Sequence, residues 1–248
     1  MVKKISVAPH PVLDEYYQDE TDRRKKVDSM FDSSAEHYDW ICNVMSFGSG
    51  RWYRKDALKR IGLTTGMKHL DVGAGTGVVS LIGQELVGDE GLVVALDPST
   101  GMLNEAVNGG VKRATFGLGE KLPFPDNTFD VLTMGYALRH VADLQITFEE
   151  YLRVLKPGGK ILLLEITRPY NNLTMFLLKA YMKGVIPILT RLFRRSADAQ
   201  ELMRYYWDTI EHCVPPHSII SALKDQGGVE VNRHVVMGIF SEYSALKI

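Results

Sequence analysis

The chain has 248 residues, a formal net charge of −1 and 45% hydrophobic residues, which are ordinary values for one globular domain with additions. The near-neutral charge gives no reason to expect nucleic acid as a partner. The two cysteines, Cys42 and Cys213, have no paired spacing, so the sequence predicts neither a disulfide framework nor a metal site.

The N-terminal region lacks the sustained apolar core of a secretory signal, and no apolar run looks long enough to span a bilayer. We therefore expect a cytoplasmic protein, with membrane association as the alternative. Residues 1–25 are polar and are predicted to form a tail or a helix lying on the domain. Aromatic and methionine side chains over 27–52 predict either a cap beside a ligand pocket or an accessory core. An amphipathic helix is predicted over 51–61, ending at Gly62.

Strands and helices then alternate along the chain. Apolar runs predict strands at 67–72, 92–97, 111–116, 129–134 and 161–166. Helices are predicted at about 76–87, 101–107, 144–155 and 218–226. Such alternation predicts a doubly wound, Rossmann-like α/β fold with a mostly parallel seven-stranded sheet and helices on both faces. The last two strands, 229–236 and 239–246, are joined by little more than Met237-Gly238, so they are antiparallel neighbours.

The stretch from Asp71 to Gly77 follows the first apolar strand and carries glycine at alternate positions, Gly73, Gly75 and Gly77. Glycine is needed where the backbone turns sharply or where a ligand approaches the main chain. The dinucleotide fingerprint would have glycine in place of Val78, and the phosphate-loop pattern is absent from this stretch. The loop therefore favours a ligand without a pyrophosphate, such as S-adenosylmethionine. A glycine-rich turn with no ligand is the alternative.

Asp97 ends the second apolar strand, twenty residues after Gly77. In doubly wound folds an acid at this place accepts hydrogen bonds from ribose hydroxyls. Ligands of such sheets bind at the carboxyl ends of the strands. We therefore expect Asp71, Asp97 and the turn at 135–140 to face one crevice.

The segment 172–205 interrupts the alternation with apolar residues among basic ones. Lys179, Lys183 and Pro187 argue against a membrane span. An amphipathic helical insertion covering the crevice is the preferred interpretation. A helix lying on a membrane surface, in contact through 173–195, is the alternative.

Several stretches resemble the ubiquinone/menaquinone biosynthesis C-methyltransferases, which are class I enzymes that use S-adenosylmethionine. The matching stretches, within about residues 27–170, are Met30-Phe31-Asp32, Tyr38-Asp39, Met45-Ser46-Phe47-Gly48, the glycine loop, Leu122 to Asp130, Leu138-Arg139 and Arg153 to Gly159. We accordingly predict a helical cap or tail over 1–50 and a methyltransferase domain over 51–248 with a helical insertion at 172–215. A homodimer is a further expectation.

The resemblance also implies positions for the cofactor. Thr76 and Asp97 would bind it, Leu118 and Gly119 would lie along the adenine, and Gly135 would line the site. The full predicted cofactor set is Asp71, Gly73, Gly75, Thr76, Gly77, Asp97, Leu118, Gly119 and Gly135. The chain departs from the family where Leu118-Gly119 replaces an Asn-Ala pair, in the turn Gly135 to His140, and in the segment Thr209 to Pro216.

The implied reaction is methyl transfer from S-adenosylmethionine to a small, apolar aromatic acceptor. C-methylation of a demethylmenaquinone-type or demethoxy-ubiquinol-type precursor is the first expectation. His140 is predicted to be the general base, Arg139 to stabilise a phenolate or orient a water, and Tyr136 to hydrogen-bond the acceptor. A capping or core role is the alternative for His140. Other readings are an O- or N-methyltransferase, a lipid methyltransferase, or a non-catalytic module that keeps the fold.

Overall fold

The computed structural model describes residues 6–169, 171–193 and 197–248, and seven strands in this part of the chain form a single sheet. These strands are β1 (Lys68–Val72), β2 (Leu92–Asp97), β3 (Ala114–Phe116), β4 (Phe129–Gly135), β5 (Leu155–Ile166), β6 (Val229–Val236) and β7 (Phe240–Leu246). Their order is β3-β2-β1-β4-β5-β7-β6. Strands β1 to β5 run parallel, and β7 is antiparallel to both of its neighbours. The predicted doubly wound fold with an antiparallel last strand is confirmed.

Helices flank the sheet and also form a layer beside it. They are α1 (Glu20–Met45), α2 (Gly50–Ile61), α3 (Val78–Val87), α4 (Thr100–Asn108), α5 (Leu144–Val154), α6 (Asn172–Ala180), α7 (Ile186–Phe193), α8 (Ala197–His212) and α9 (Pro216–Asp225). Helix α9 begins two residues before its predicted start because Pro216 suits the first helical position, where its missing N–H is not needed.

Strand β5 shows why the sheet must be covered on both faces. Ile161 and Leu163 pack in the core that includes α5 and α9, whereas Leu162 and Leu164 pack in the core that includes α2 and α3. Successive side chains of a strand point to opposite faces, so an unbroken apolar run belongs to a strand buried on both sides. The apolar run of the sequence is thus explained by its central place in the sheet.

The helical segments 20–45, 172–193 and 197–212 pack against each other and form a second core. Met30 and Ile41 of α1 lie in this core with Met182, Leu202 and Trp207. The aromatic and methionine residues of the N-terminal region therefore have a packing role. Several of them also line the crevice described below.

The insertion is not one continuous α-helix. Helices α6 and α7 are joined by a π-helical segment, Tyr181–Val185, in which the N–H of Ile186 bonds to the carbonyl of Tyr181. Pro187 has no N–H to offer the carbonyl four residues earlier, so the ordinary helical pattern cannot pass through this point.

The expectation that no apolar stretch is long enough to span a membrane is wrong. The helical stretch Asn172–Arg191 has 20 residues. An 18-residue part of it has a mean hydropathy of 1.4, and 17% of that part is buried in the protein. Its apolar residues are numerous enough that the mean hydropathy stays high in spite of Lys179 and Lys183. Those two lysines form ion pairs with Glu211 and Asp208 of α8, so the helix lies along the protein.

Candidate active site

Two adjoining cavities open at the carboxyl edge of the sheet. They hold about 1010 Å³ and about 1030 Å³ of space between protein atoms, and both figures include space that is open to solvent at the mouth. The first cavity contains Asp97, and the second contains Asp71. The walls that the two share are Tyr38, Gly73, Gly75, Gly135 and Tyr136. The predicted crevice therefore exists, and the glycine loop lies between its two halves.

Asp97 is 7% exposed and lines the first cavity. One carboxylate oxygen accepts the N–H of Ser99 and the other accepts the N–H of Gly75, each at 2.8 Å. Burial raises the pKa of Asp97 to about 6. Each carboxylate oxygen offers about two acceptor sites, so one site per oxygen remains for a ligand hydroxyl.

The glycines of the loop have different functions. Gly75 lines both cavities at a φ of +56°, and a Cβ built there meets nothing within 4 Å. Gly77 lines neither cavity, and a Cβ there would lie 2.5 Å from Val111 Cγ2. The prediction that Gly77 contacts the ligand is therefore wrong, because its missing side chain is required by packing. Its φ of +83° also delays the start of α3 to Val78.

Asp71 and Thr76 line the second cavity. The carboxylate of Asp71 accepts hydrogen bonds from Ser80 Oγ at 2.6 Å and Thr133 Oγ1 at 2.9 Å. Burial raises the pKa of Asp71 to about 6. The hydroxyl of Thr76 donates to Asp39 of α1.

Helix α1 lines both cavities, which is one of the two roles predicted for its aromatic and methionine residues. Its residues Val27, Asp28 and Phe31 line the first cavity. Two contacts, seven residues apart on this helix, fix it across the crevice. Asp32 accepts from Ser99 Oγ at 2.5 Å and from Gly101 N at 2.9 Å, and Asp39 accepts from Thr76.

The adenine positions implied by the resemblance are only half supported. Gly119 lines the first cavity, but Leu118 does not. Leu118 instead pairs through its backbone with Lys121. The assignment of Leu118 as a cofactor contact therefore stays a prediction, and the structure places only its neighbour Gly119 in the cavity wall.

Gly135 and Tyr136 stand at the end of β4 and line both cavities. Tyr136 has a φ of +63°, which is unusual for a bulky residue and typical of functional turns. Burial raises the pKa of its hydroxyl well above its usual range. Tyr136 therefore stays protonated and is available as a hydrogen-bond donor.

Arg139 is fully buried and lines neither cavity. Its guanidinium is paired with Glu165, donates to Thr209 Oγ1 at 3.3 Å, and lies 4.7 Å from the ring centroid of Tyr206. The prediction that Arg139 contacts an acceptor is wrong, because all of these contacts point into the protein. Arg139 instead holds the turn that carries His140.

His140 lines the first cavity. Its Nδ1 lies 3.3 Å from the hydroxyl of Tyr205, and its ring centroid lies 5.1 Å from that of Phe31. Among the described residues, its buried Nε2 has no hydrogen-bond partner. Burial, together with the nearby Arg139 cation, lowers the pKa of His140 well below its ordinary value. The ring of His140 is therefore neutral, and its Nε2 stays without a partner among the described residues.

These features fit S-adenosylmethionine. Asp97 keeps acceptor sites for two ribose hydroxyls, Gly75 leaves the backbone open to a ligand, and both residues line the same crevice. Asp71, Thr76 and the glycine loop continue the polar wall into the second cavity.

Comparison with known proteins assigns the family. Residues 18–247 match the model of the ubiE/COQ5 methyltransferase family. The "Ubiquinone/menaquinone biosynthesis C-methyltransferase UbiE" of Cellvibrio japonicus is 31% identical over 224 residues, covering 88% of this chain and 89% of that protein. The protein of the same name from Saccharophagus degradans is 32% identical over 238 residues, covering 92% and 94%.

Solved structures support the fold. A SAM-dependent methyltransferase from Aquifex aeolicus superposes with a TM-score of 0.58 at 23% identity, covering 79% of this chain and 89% of that one. A phosphoethanolamine N-methyltransferase from Haemonchus contortus, solved with S-adenosyl-L-methionine, gives a TM-score of 0.61 at 19% identity, covering 87% and 57%. With its fold, its crevice and a family match over most of its length, the chain belongs to the ubiE/COQ5 methyltransferase family and is an S-adenosylmethionine-dependent methyltransferase.

Proposed function

We propose that the enzyme transfers the methyl group to a ring carbon of a phenolic quinone precursor. The observation that carries this proposal is His140, which lines the first cavity and whose buried Nε2 has no hydrogen-bond partner among the described residues. The curated relatives, which carry C-methyltransferase names in ubiquinone and menaquinone biosynthesis, support the same acceptor class. Val27, Phe31 and Val141 give this cavity apolar walls suited to an aromatic ring.

His140 and Tyr136 have separate roles in the proposed reaction. S-adenosylmethionine supplies an electrophilic methyl group on a positively charged sulfur. Neutral His140 accepts the proton of a ring hydroxyl through Nε2, which increases the electron density of the adjacent ring carbon. That carbon would form the new C–C bond as the S–C bond breaks, which leaves S-adenosylhomocysteine. The proton on that carbon would then pass to solvent, which restores the aromatic ring, and His140 would return the first proton to the ring oxygen. Tyr136 donates a hydrogen bond to the acceptor and orients it.

The acceptor is tested by incubating the enzyme with methyl-deuterated S-adenosylmethionine and a panel of acceptors. The panel contains demethylmenaquinol, a demethoxy-ubiquinol, a catechol and an aminoethyl phospholipid. We expect label on a ring carbon of one of the quinols, located by fragmentation in mass spectrometry. Label on the oxygen of the catechol or the nitrogen of the lipid, without quinol product, would contradict the proposal.

Asp97→Asn is expected to weaken S-adenosylhomocysteine binding by about 10- to 150-fold, the usual effect of losing a hydrogen bond to a charged group. An amide nitrogen cannot accept from a ribose hydroxyl, and it also conflicts with the N–H of Gly75 or Ser99. Titration calorimetry measures the change. Asp89→Asn, at an almost fully exposed carboxylate, is the matched control and should bind like the parent. Unchanged affinity in Asp97→Asn would remove the ribose assignment.

We further propose that the α6–α7 segment rests on a lipid surface. Leu173, Phe176 and Leu177 are all more than half exposed on α6, as is Ile188 on α7. Phe47 is 85% exposed and stacks on Tyr181 with ring centroids 5.5 Å apart, which extends the apolar surface towards the second cavity. Exposed contiguous apolar surface of this kind is typical of membrane contact. The end of the predicted contact segment, 194–195, lies outside the described residues.

Sedimentation with vesicles of phosphatidylethanolamine and phosphatidylglycerol tests this contact. The double variant Phe176→Ser/Leu177→Ser should pellet much less than the parent. The matched control Val235→Ser/Met237→Ser removes two exposed apolar side chains near the β6–β7 turn and should pellet like the parent. Equal sedimentation of both variants would contradict a role for α6.

A further inference from the structure

Arg54 lies on α2 and lines the second cavity. Its guanidinium carbon is 4.9 Å from the ring centroid of Tyr136, and Nη1 lies so close to Gly50 that a Cβ there would be 2.7 Å away. Within the described ranges, no carboxylate forms an ion pair with it. Its neighbours on the helix, Arg51 and Lys55, both pair with Glu85 on the surface.

A guanidinium is always charged, and a sheltered cation without a counter-ion is costly. The nearby acids of the second cavity are already engaged. Asp39 receives the hydroxyl of Thr76, and Asp71 receives those of Ser80 and Thr133. Arg54 is therefore the cationic side of a polar cavity whose other side is acidic, an arrangement suited to a zwitterion.

S-adenosylmethionine has a zwitterionic amino-acid end and an adenosyl end. Asp97 assigns the ribose to the first cavity, and the two cavities meet at Gly73 and Gly75. A cofactor that crosses this loop brings its amino-acid end into the second cavity, towards Arg54.

We propose that Arg54 binds the α-carboxylate of the methionine portion of S-adenosylmethionine. Arg54 and Asp97 then hold the cofactor at its two ends, which fixes the sulfonium between them. The proposal rests on the cofactor and is independent of which acceptor is methylated.

Titration calorimetry without acceptor tests it with two ligands. S-adenosylhomocysteine has the amino-acid end, and methylthioadenosine has the same adenosyl and sulfur atoms without it. Arg54→Met in the full chain should weaken S-adenosylhomocysteine binding by about 10- to 150-fold and leave methylthioadenosine binding within about twofold. Arg54→Lys, which keeps the charge, should recover much of the lost affinity.

Lys55→Met is the matched control, because it removes a neighbouring cation that pairs with Glu85 on the surface and does not line the second cavity, and it should bind both ligands like the parent. Thermal midpoints of all variants are measured alongside. Equal weakening of both ligands by Arg54→Met, with or without a lower midpoint, would overturn the assignment. Unchanged binding of S-adenosylhomocysteine would overturn it as well. These measurements contain no acceptor, so they do not depend on which acceptor is methylated. The proposal for Arg54 and the proposal for the acceptor can therefore fail separately.

Discussion

Replacing His140 by alanine is expected to lower kcat by about 10²- to 10⁴-fold, the usual contribution of a positioned general base. Cofactor affinity should stay within about twofold, because the groups that we assign to the cofactor are Asp97, the glycine loop and Arg54. Single-turnover rates and calorimetry on the same preparation separate the two quantities. His234→Ala, an exposed histidine on β6, is the control and should turn over normally. Full turnover by His140→Ala with intact cofactor binding would leave His140 only a core role.

The same substitution has a pH signature with a definite sign. The native pKa of His140 is lowered, so below about pH 6.5 the unfolded chain binds a proton that the native chain does not. The stability contributed by neutral His140 is therefore present above that pH and is lost as the pH falls. Asp71 and Asp97, with pKa values raised to about 6, act oppositely between about pH 4 and 6. Comparing parent and His140→Ala in urea titrations cancels these carboxylates, and the parent should lose more stability on acidification.

Arg139→Met should destabilise the fold by about 3–5 kcal/mol, because it leaves the buried carboxylate of Glu165 without its counter-ion. For a chain of this size the thermal midpoint would fall by about 6–20 °C. Both partners of the pair are at most 1% exposed, so water cannot take the place of the lost cation. Urea or thermal unfolding followed by circular dichroism measures the loss.

Arg51→Met provides the comparison for Arg139→Met, because it breaks a surface pair with Glu85 that is worth at most about 1 kcal/mol. The double variant Arg139→Met/Glu165→Leu removes both charges and should regain much of the stability. If Arg139→Met lowers the free energy of unfolding by no more than Arg51→Met does, the buried pair does not hold the turn that carries His140.

The sequence predicted the parts of the site that depend on local patterns. An apolar strand ending in an acid, as at Asp71 and Asp97, can be recognised because the end of a parallel strand has a fixed place in the sheet. The same local logic misassigned Gly77 and Arg139. Whether a glycine faces Val111 or a ligand, and whether an arginine meets Glu165 or a substrate, depends on residues distant in the chain.

The cap beside the pocket was one of two predicted roles for the N-terminal region, but the individual contacts of α1 and α2 could not be predicted for the same reason. Asp32 meets Ser99, and Arg54 meets the wall of the second cavity, only after the helices dock on the sheet. No spacing within residues 20–61 identifies these partners. Composition did indicate an aromatic and methionine-rich segment, and the structure explains it as a core that also lines the crevice.

The two contacts that fasten α1 over the crevice have a kinetic consequence. Release of spent cofactor past α1 requires the helix to lift and both the Asp32–Ser99 and Asp39–Thr76 contacts to break. Lid opening of this kind commonly sets the rate of product release. Movement of the N-terminal helix would then limit the rate of the catalytic cycle. A variant that lacks one of the two contacts would exchange cofactor faster and bind it with lower affinity.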